Sequence, residues 1–219
     1  MSENGDLQGI KDDMAKFKQG KYKMIKDPYE NDIGMQVVRA NREGNIAFLQ
    51  QASDAGLFDP LEITEVEKWN YLHRANLLNP SPVSTIRFYL DKGVAVNAQD
   101  CYGMTPLHYA MREENAEAAL VLFEAGANPN IPNRDNIIPL AMIGRMPHRL
   151  DLLEQLLKSG GNVHYLNGNN DIDVLEFLQT YRSEEEEFKP IIHLMEQYAW
   201  FVRKASVVYS IWKTILYEY

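Results

Sequence analysis

Apolar residues along this chain recur at helical rather than strand spacing. Ala118, Ala119, Leu122 and Phe123 fall on one side of a short helix, because residues three and four apart share a face. The pattern closes on a glycine three times, in Tyr89-Leu90-Asp91-Lys92-Gly93, Leu122-Phe123-Glu124-Ala125-Gly126 and Leu156-Leu157-Lys158-Ser159-Gly160. These glycines are 33 and then 34 residues apart, and four residues after them stand Asn97, Asn130 and His164. A fainter copy runs from Phe48-Leu49 to Ala55-Gly56, 37 residues before Gly93. A glycine after the last apolar turn ends a helix because it accepts left-handed backbone without a Cβ clash. Stops at one period predict a stack of similar units.

Between the stops the chain turns and restarts. Asn97-Ala98-Gln99-Asp100-Cys101-Tyr102-Gly103 is rich in turn formers and does not continue a helix. In Gly103-Met104-Thr105-Pro106-Leu107-His108-Tyr109-Ala110, Thr105 can cap the next helix and Pro106 fits its first position, where no N–H is needed. Leu107 and Ala110 then share one helix face.

On these residues the segment from Asn97 to Ala127 resembles an ankyrin repeat: the Thr-Pro-Leu-His core, then a second helix closing on Glu124-Ala125-Gly126-Ala127. Other units are eroded. Leu72-His73-Arg74-Ala75 matches the core, but its distance to Gly93 is two residues longer than that from Leu107 to Gly126, which places a widened turn at Asn79-Pro80-Ser81-Pro82. Pro139-Leu140-Ala141 keeps the proline and leucine, with an inserted residue near Met146-Pro147. Asp173-Val174-Leu175-Glu176-Phe177 opens a fifth unit, whose second helix is expected from near Pro190 through Ile192, Leu194 and Met195.

The resemblance implies an all-α solenoid of about four to five helix-turn-helix units, with N- and C-terminal helical extensions. The expected division is an extension over 1–33, with a short helix from Leu7 to Phe17, an array over 34–197 and an amphipathic helix over 198–219. In that last helix Phe201, Ala205, Val208, Trp212, Ile215 and Tyr219 form one stripe. A cap on the last repeat and a partner-binding helix are its two readings, with membrane-surface attachment as a minor third.

The resemblance also implies a protein-binding function without catalysis, using turn tips and helix faces. Contacts are then expected at Gln99, Cys101, Tyr102 and Met104 on one tip, at Tyr109, Arg112 and Glu113 on or beyond the first helix, and at Asn133, Arg134, Asp135 and Ile137 on the adjacent tip. In the family pattern the motif histidines, His73 and His108, bond within the scaffold.

Composition sharpens the partner. Apolar residues make up 45% and charged residues 24% of 219, the balance of a globular chain. A net charge of −9 argues against nucleic acid and favours a basic partner, with 13 basic and 23 acidic residues between 34 and 199. The one cysteine, Cys101, permits no intrachain disulfide, which suits a reducing compartment and gives the expectation of a cytoplasmic protein. The polar opening, Met1-Ser2-Glu3-Asn4-Gly5-Asp6, lacks the apolar region of a secretion signal. No run is long and apolar enough to span a membrane, and Lys213 interrupts the nearest, Ala205 to Leu216.

Candidate chemistry is sparse. His73, His108, His148, His164 and His193 include no pair at metal-ligand spacing, and no glycine-rich phosphate cradle occurs, so no metal or cofactor is expected. Ser183-Glu184-Glu185-Glu186-Glu187 reads as a solvated loop, with Ser183 and Glu186 as candidates for a capping box. Asp171, Asp173 and Glu176 suit the positive end of a helix. Three functions are weighed: an inhibitor or neutralising partner of a basic protein, a scaffold or secreted effector binding a host protein, and an enzyme, for which no constellation is found.

Overall fold

The computed structural model describes residues 32–77, 80–168 and 172–200. The expected helix from Leu7 to Phe17 and the stripe from Phe201 to Tyr219 lie outside the described residues. Internal contacts divide the chain into a unit ending at Arg39 and a unit beginning at Ala40. The described part of the first unit opens helix α1, Ile33–Glu43.

The second unit holds α2 (Ile46–Asp54), α3 (Tyr71–Ala75), α4 (Val83–Asp91), α5 (Pro106–Arg112), α6 (Ala116–Glu124), the 3₁₀ helix η1 (Pro139–Arg145), α7 (Leu150–Lys158) and α8 (Val174–Arg182). Residues 189–200 are helical as well. No strand occurs among the described residues; one isolated bridge joins Leu166 to Asp173. Over its described residues this unit is the all-α solenoid expected.

Its helices form two rows. The first helix of each repeat packs on the next in the order α3, α5, η1, α8, and the second helices follow in the order α2, α4, α6, α7. Within repeats α3 packs on α4, α5 on α6 and η1 on α7. Equivalent leucines fill the space between the rows: Leu72, Leu107 and Leu140 from the first row, Leu122 and Leu156 from the second, all without solvent exposure. Burying each of them is worth roughly 1.5–3 kcal/mol, so this seam carries much of the stability.

The repeats are also pinned at their glycine ends. Asn97 donates from Nδ2 to the Gly126 carbonyl (3.0 Å) and accepts from the Asn128 N–H (2.8 Å). Asn130 repeats this one unit later, with the Gly160 carbonyl and the Asn162 N–H, each at 2.8 Å. His164, third in that series, instead places Nδ1 2.7 Å from a carboxylate oxygen of Asp173, the N-cap of α8.

Two expectations need correction. The segment at Pro139 forms a 3₁₀ helix rather than an α-helix. Ile138 precedes it and offers no capping oxygen, Ala141 stands where a motif histidine would, and Gly144 and Pro147 weaken its far end. The Ser183–Glu186 capping box does not form either. Ser183 ends α8, and Glu186 pairs with Lys189 at 2.6 Å while residues 184–187 stay exposed, the solvated loop expected.

Candidate functional site

Three successive turns between repeats are built alike. In the middle one the Asp100 N–H donates to the Met104 carbonyl (3.0 Å), and Oδ1 of Asp100 accepts the Tyr102 and Met104 N–H groups, each at 2.8 Å. In the next, Asn133 takes the aspartate's place: its N–H donates to the Ile137 carbonyl and its Oδ1 accepts from Asp135 and Ile137. In the first, the Thr64 N–H donates to the Trp69 carbonyl and Oγ1 of Thr64 accepts the Trp69 N–H. Left-handed backbone reverses each turn, at Lys68 (φ 61°), Gly103 (φ 73°) and Asn136 (φ 57°). Asparagine tolerates that region and glycine meets no penalty there, whereas lysine at Lys68 is held by the surrounding bonds.

Main-chain bonds then tie tip to tip. The Cys101 N–H donates to the Glu67 carbonyl (2.8 Å), that of Arg134 to Tyr102 (2.9 Å) and that of Gly168 to Asn136 (2.9 Å). The motif histidines brace the same row from beneath. Nδ1 of His73 accepts the Asn70 N–H, which leaves the proton on Nε2 to be donated to the Met104 carbonyl at 3.1 Å. His108 does the same between the Thr105 N–H and the Ile137 carbonyl, at 3.0 Å each. Burial pushes both imidazoles down, His108 to about 4, so both are neutral near pH 7.

The expected contact residues separate into three groups by exposure. Tyr102, Gln99, Arg134 and Asp135 are exposed along the tips, Tyr102 by 57%. Gln99 bridges, donating from Nε2 to the Gly103 and Pro132 carbonyls. Cys101, Arg112, Glu113 and Ile137 are half-buried, with Arg112 and Glu113 paired at 3.0 Å.

Met104 and Tyr109 are corrections, since both are buried. Met104 is only 7% exposed, because it is the return arm of its turn, leading directly into Thr105, the N-cap of α5. Tyr109 is only 2% exposed. Its hydroxyl donates to Oδ2 of Asp100 at 2.6 Å, and Trp69 Nε1 donates to the same oxygen at 3.0 Å. The Arg112 guanidinium lies 4.6 Å over the Tyr109 ring. Burial alone would push the Asp100 carboxyl up, but the bonds from Tyr109, Met104, Tyr102 and Trp69 outweigh it and hold the group ionised. Asn133 is half-buried, like Cys101 and Ile137, with its side-chain oxygen held in its own turn.

A groove of about 370 Å³ opens beside the tips, between the end of α5, η1 and the start of α8. Arg112, Ile137, Met142, Arg145 and Phe177 line it, and the small residues Ala141 and Gly144 leave it room. Among the described residues no group of His, Cys, Asp and Glu could hold a metal ion, and no helix is long and apolar enough to cross a membrane.

Sequence reasoning passed over the first tip. Leu57, Leu61, Ile63 and Val66 are all exposed there. The signal was available: fifteen residues separate Gly56 from Tyr71, where thirteen separate Gly93 from Pro106 and Gly126 from Pro139.

Residues 35–133 match the family model described as ankyrin repeats, in 3 copies. The chain is 32% identical over 99 residues, 45% of its length, to the "Ankyrin repeat protein nuc-2" of Neurospora crassa, of which it covers 9%. It is 33% identical over 106 residues, 48% of its length, to the "Palmitoyltransferase Hip14" of Drosophila melanogaster, of which it covers 16%. To a "Putative ankyrin repeat protein" of Rickettsia bellii it is 29% identical over 96 residues, 39% of this chain and 96% of that one. The chain thus spans a small fraction of the first two relatives.

Proposed function

We propose that this chain, which belongs to the ankyrin-repeat family and carries a protein–protein interaction module, holds a basic surface of a partner against its turn tips and blocks that partner by occupying it. The observation that carries the reading is the bonding of tip to tip, from Glu67 to Cys101, Tyr102 to Arg134 and Asn136 to Gly168. Such a row is ordered before a partner arrives, so little conformational freedom remains to be lost on binding. The excess of 23 acidic over 13 basic residues between 34 and 199 supports a basic partner, through attraction at a distance and complementarity on contact.

The test is affinity isolation on the immobilised chain at two salt concentrations, followed by titration of the captured protein and assay of its own activity. The expected partner is basic, is released as salt rises, binds less tightly to Tyr102→Ala and loses activity at stoichiometric ratio. Binding indifferent to salt and to Tyr102 would overturn the reading. A partner that stays fully active while bound would make the chain a scaffold rather than an inhibitor.

A further inference from the structure

We propose that the loop from Leu57 to Lys68 is a preformed docking site for a basic amphipathic segment of the partner, a proposal that rests on the binding function above. Four large apolar side chains face water within ten residues: Leu57 (57% exposed), Leu61 (53%), Ile63 (54%) and Val66 (76%). Single exposed apolar residues need no explanation, but four on one short, ordered loop mark a surface that becomes covered.

The loop is held in place. Asp59 accepts the Leu61 N–H on Oδ1 (2.9 Å) and the Glu62 N–H on its carbonyl (3.1 Å). Thr64 and Trp69 close its far end with two mutual bonds, and the Trp69 indole N–H is anchored on Asp100. Pro60 is buried and Phe58 sets its ring edge-on to Tyr71 at 5.6 Å. The loop thus has inward anchors of its own while Leu57, Leu61, Ile63 and Val66 point out, so their exposure is not that of an unfolded segment.

Charge selects the occupant. Asp59, Glu62, Glu65 and Glu67 alternate with the apolar residues, against one cation, Lys68. A second copy of this loop would bring like charges together, and an anionic membrane or a nucleic acid would be repelled. A helix or extended segment with apolar residues on one side and Lys or Arg on the other satisfies both features at once, its apolar side over Leu61, Ile63 and Val66. The chain itself contains a stretch of similar composition, from Lys16 to Lys26, with five lysines beside Phe17, Tyr22, Met24 and Ile25. The test must therefore separate a partner from that stretch.

The probe is a labelled Leu/Lys amphipathic peptide, with a Ser/Lys peptide of equal charge as its control, titrated into the full chain by fluorescence anisotropy. The expected result is preference for the amphipathic peptide, weakened about tenfold or more, some 1.4 kcal/mol, by Leu61→Ser/Ile63→Ser/Val66→Ser with an unchanged melting curve. Glu62→Gln/Glu65→Gln should weaken binding at low salt and flatten its salt dependence. Equal affinity for both peptides, or indifference to both sets of substitutions, would overturn the proposal. So would a dimer abolished by Leu61→Ser, which makes a second copy the occupant. Peptide binding that appears only after the five lysines of 16–26 are changed to Gln would overturn it too, by assigning the loop to the chain's own segment. If peptide binding holds as expected while the tip variant Tyr102→Ala leaves the natural partner bound, the loop stands and the wider tip reading falls.

Discussion

His108 donates from Nε2 to the carbonyl oxygen of Ile137, 29 residues further on, across 3.0 Å. The bond joins one repeat to the turn of the next and requires an imidazole whose Nδ1 is free to accept from Thr105. Burial pushes this histidine down to about 4. Between that value and about 6.5, where an exposed histidine titrates, the unfolded chain binds more protons than the folded one. Stability is therefore fully present above the unfolded value and is lost as pH falls towards 4, by roughly 3 kcal/mol over the window. Urea unfolding at pH 7 and pH 4.5 should show a larger loss for the native chain than for His108→Gln. The variant starts less stable at pH 7, and equal losses in the two proteins would discard the argument. His73 is shifted the same way and contributes to both curves.

Leu107→Ala should cost about 2–5 kcal/mol in chemical denaturation, the range for emptying a packed leucine site. Leu107 is wholly buried on α5, which packs on its own second helix and on the first helices either side. A loss below about half a kilocalorie per mole, typical of surface positions, would mean that the repeats are misaligned.

Tyr102 and Met104 lie two residues apart on one turn and should behave oppositely. Tyr102 is exposed, so Tyr102→Ala should leave the unfolding midpoint nearly unchanged and weaken partner binding. Met104 is buried, so Met104→Ala should cost about 2 kcal/mol or more. Denaturation and a binding titration on the same two variants decide it, and a stability loss at Tyr102 matching that at Met104 would reverse the assignment of which side chain faces out.

The scaffold was legible where residue type and spacing act locally. Gly93, Gly126 and Gly160 mark helix ends by their backbone freedom, and the Thr105–His108 core marks a helix start. The direction of side chains within a turn was harder to read. Met104 and Tyr109 look like variable positions in the pattern, yet Met104 leads into the N-cap and Tyr109 satisfies a buried aspartate, contacts made through pairs as distant as Trp69 and Asp100. Asn97 and Asn130 were visible as a repeat of 33 but not as brackets to the next unit. The first tip escaped because its consensus residues are gone; Thr64 and Lys68 do there what Asp100 and Gly103 do in the sharp repeat.

Gly93 and Gly103 both hold left-handed backbone, at φ 85° and 73°, yet alanine should cost much more at the second. A Cβ at Gly93 would meet nothing within 4 Å, so Gly93→Ala bears only the backbone penalty of a non-glycine residue, about 1–2 kcal/mol. A Cβ at Gly103 would come 3.0 Å from the Arg134 nitrogen and 3.2 Å from the Asn133 Cα and carbonyl carbon. These are backbone atoms of the neighbouring turn, and they cannot rotate aside as a side chain could. The same approach carries the bond from the Arg134 N–H to the Tyr102 carbonyl, so relieving the clash would stretch that bond. Gly103→Ala should thus exceed Gly93→Ala in stability loss, and amide exchange at Arg134 should quicken in the first variant and not in the second. Equal losses with Arg134 protected in both would show that the tips are not joined as tightly as the proposed binding edge requires.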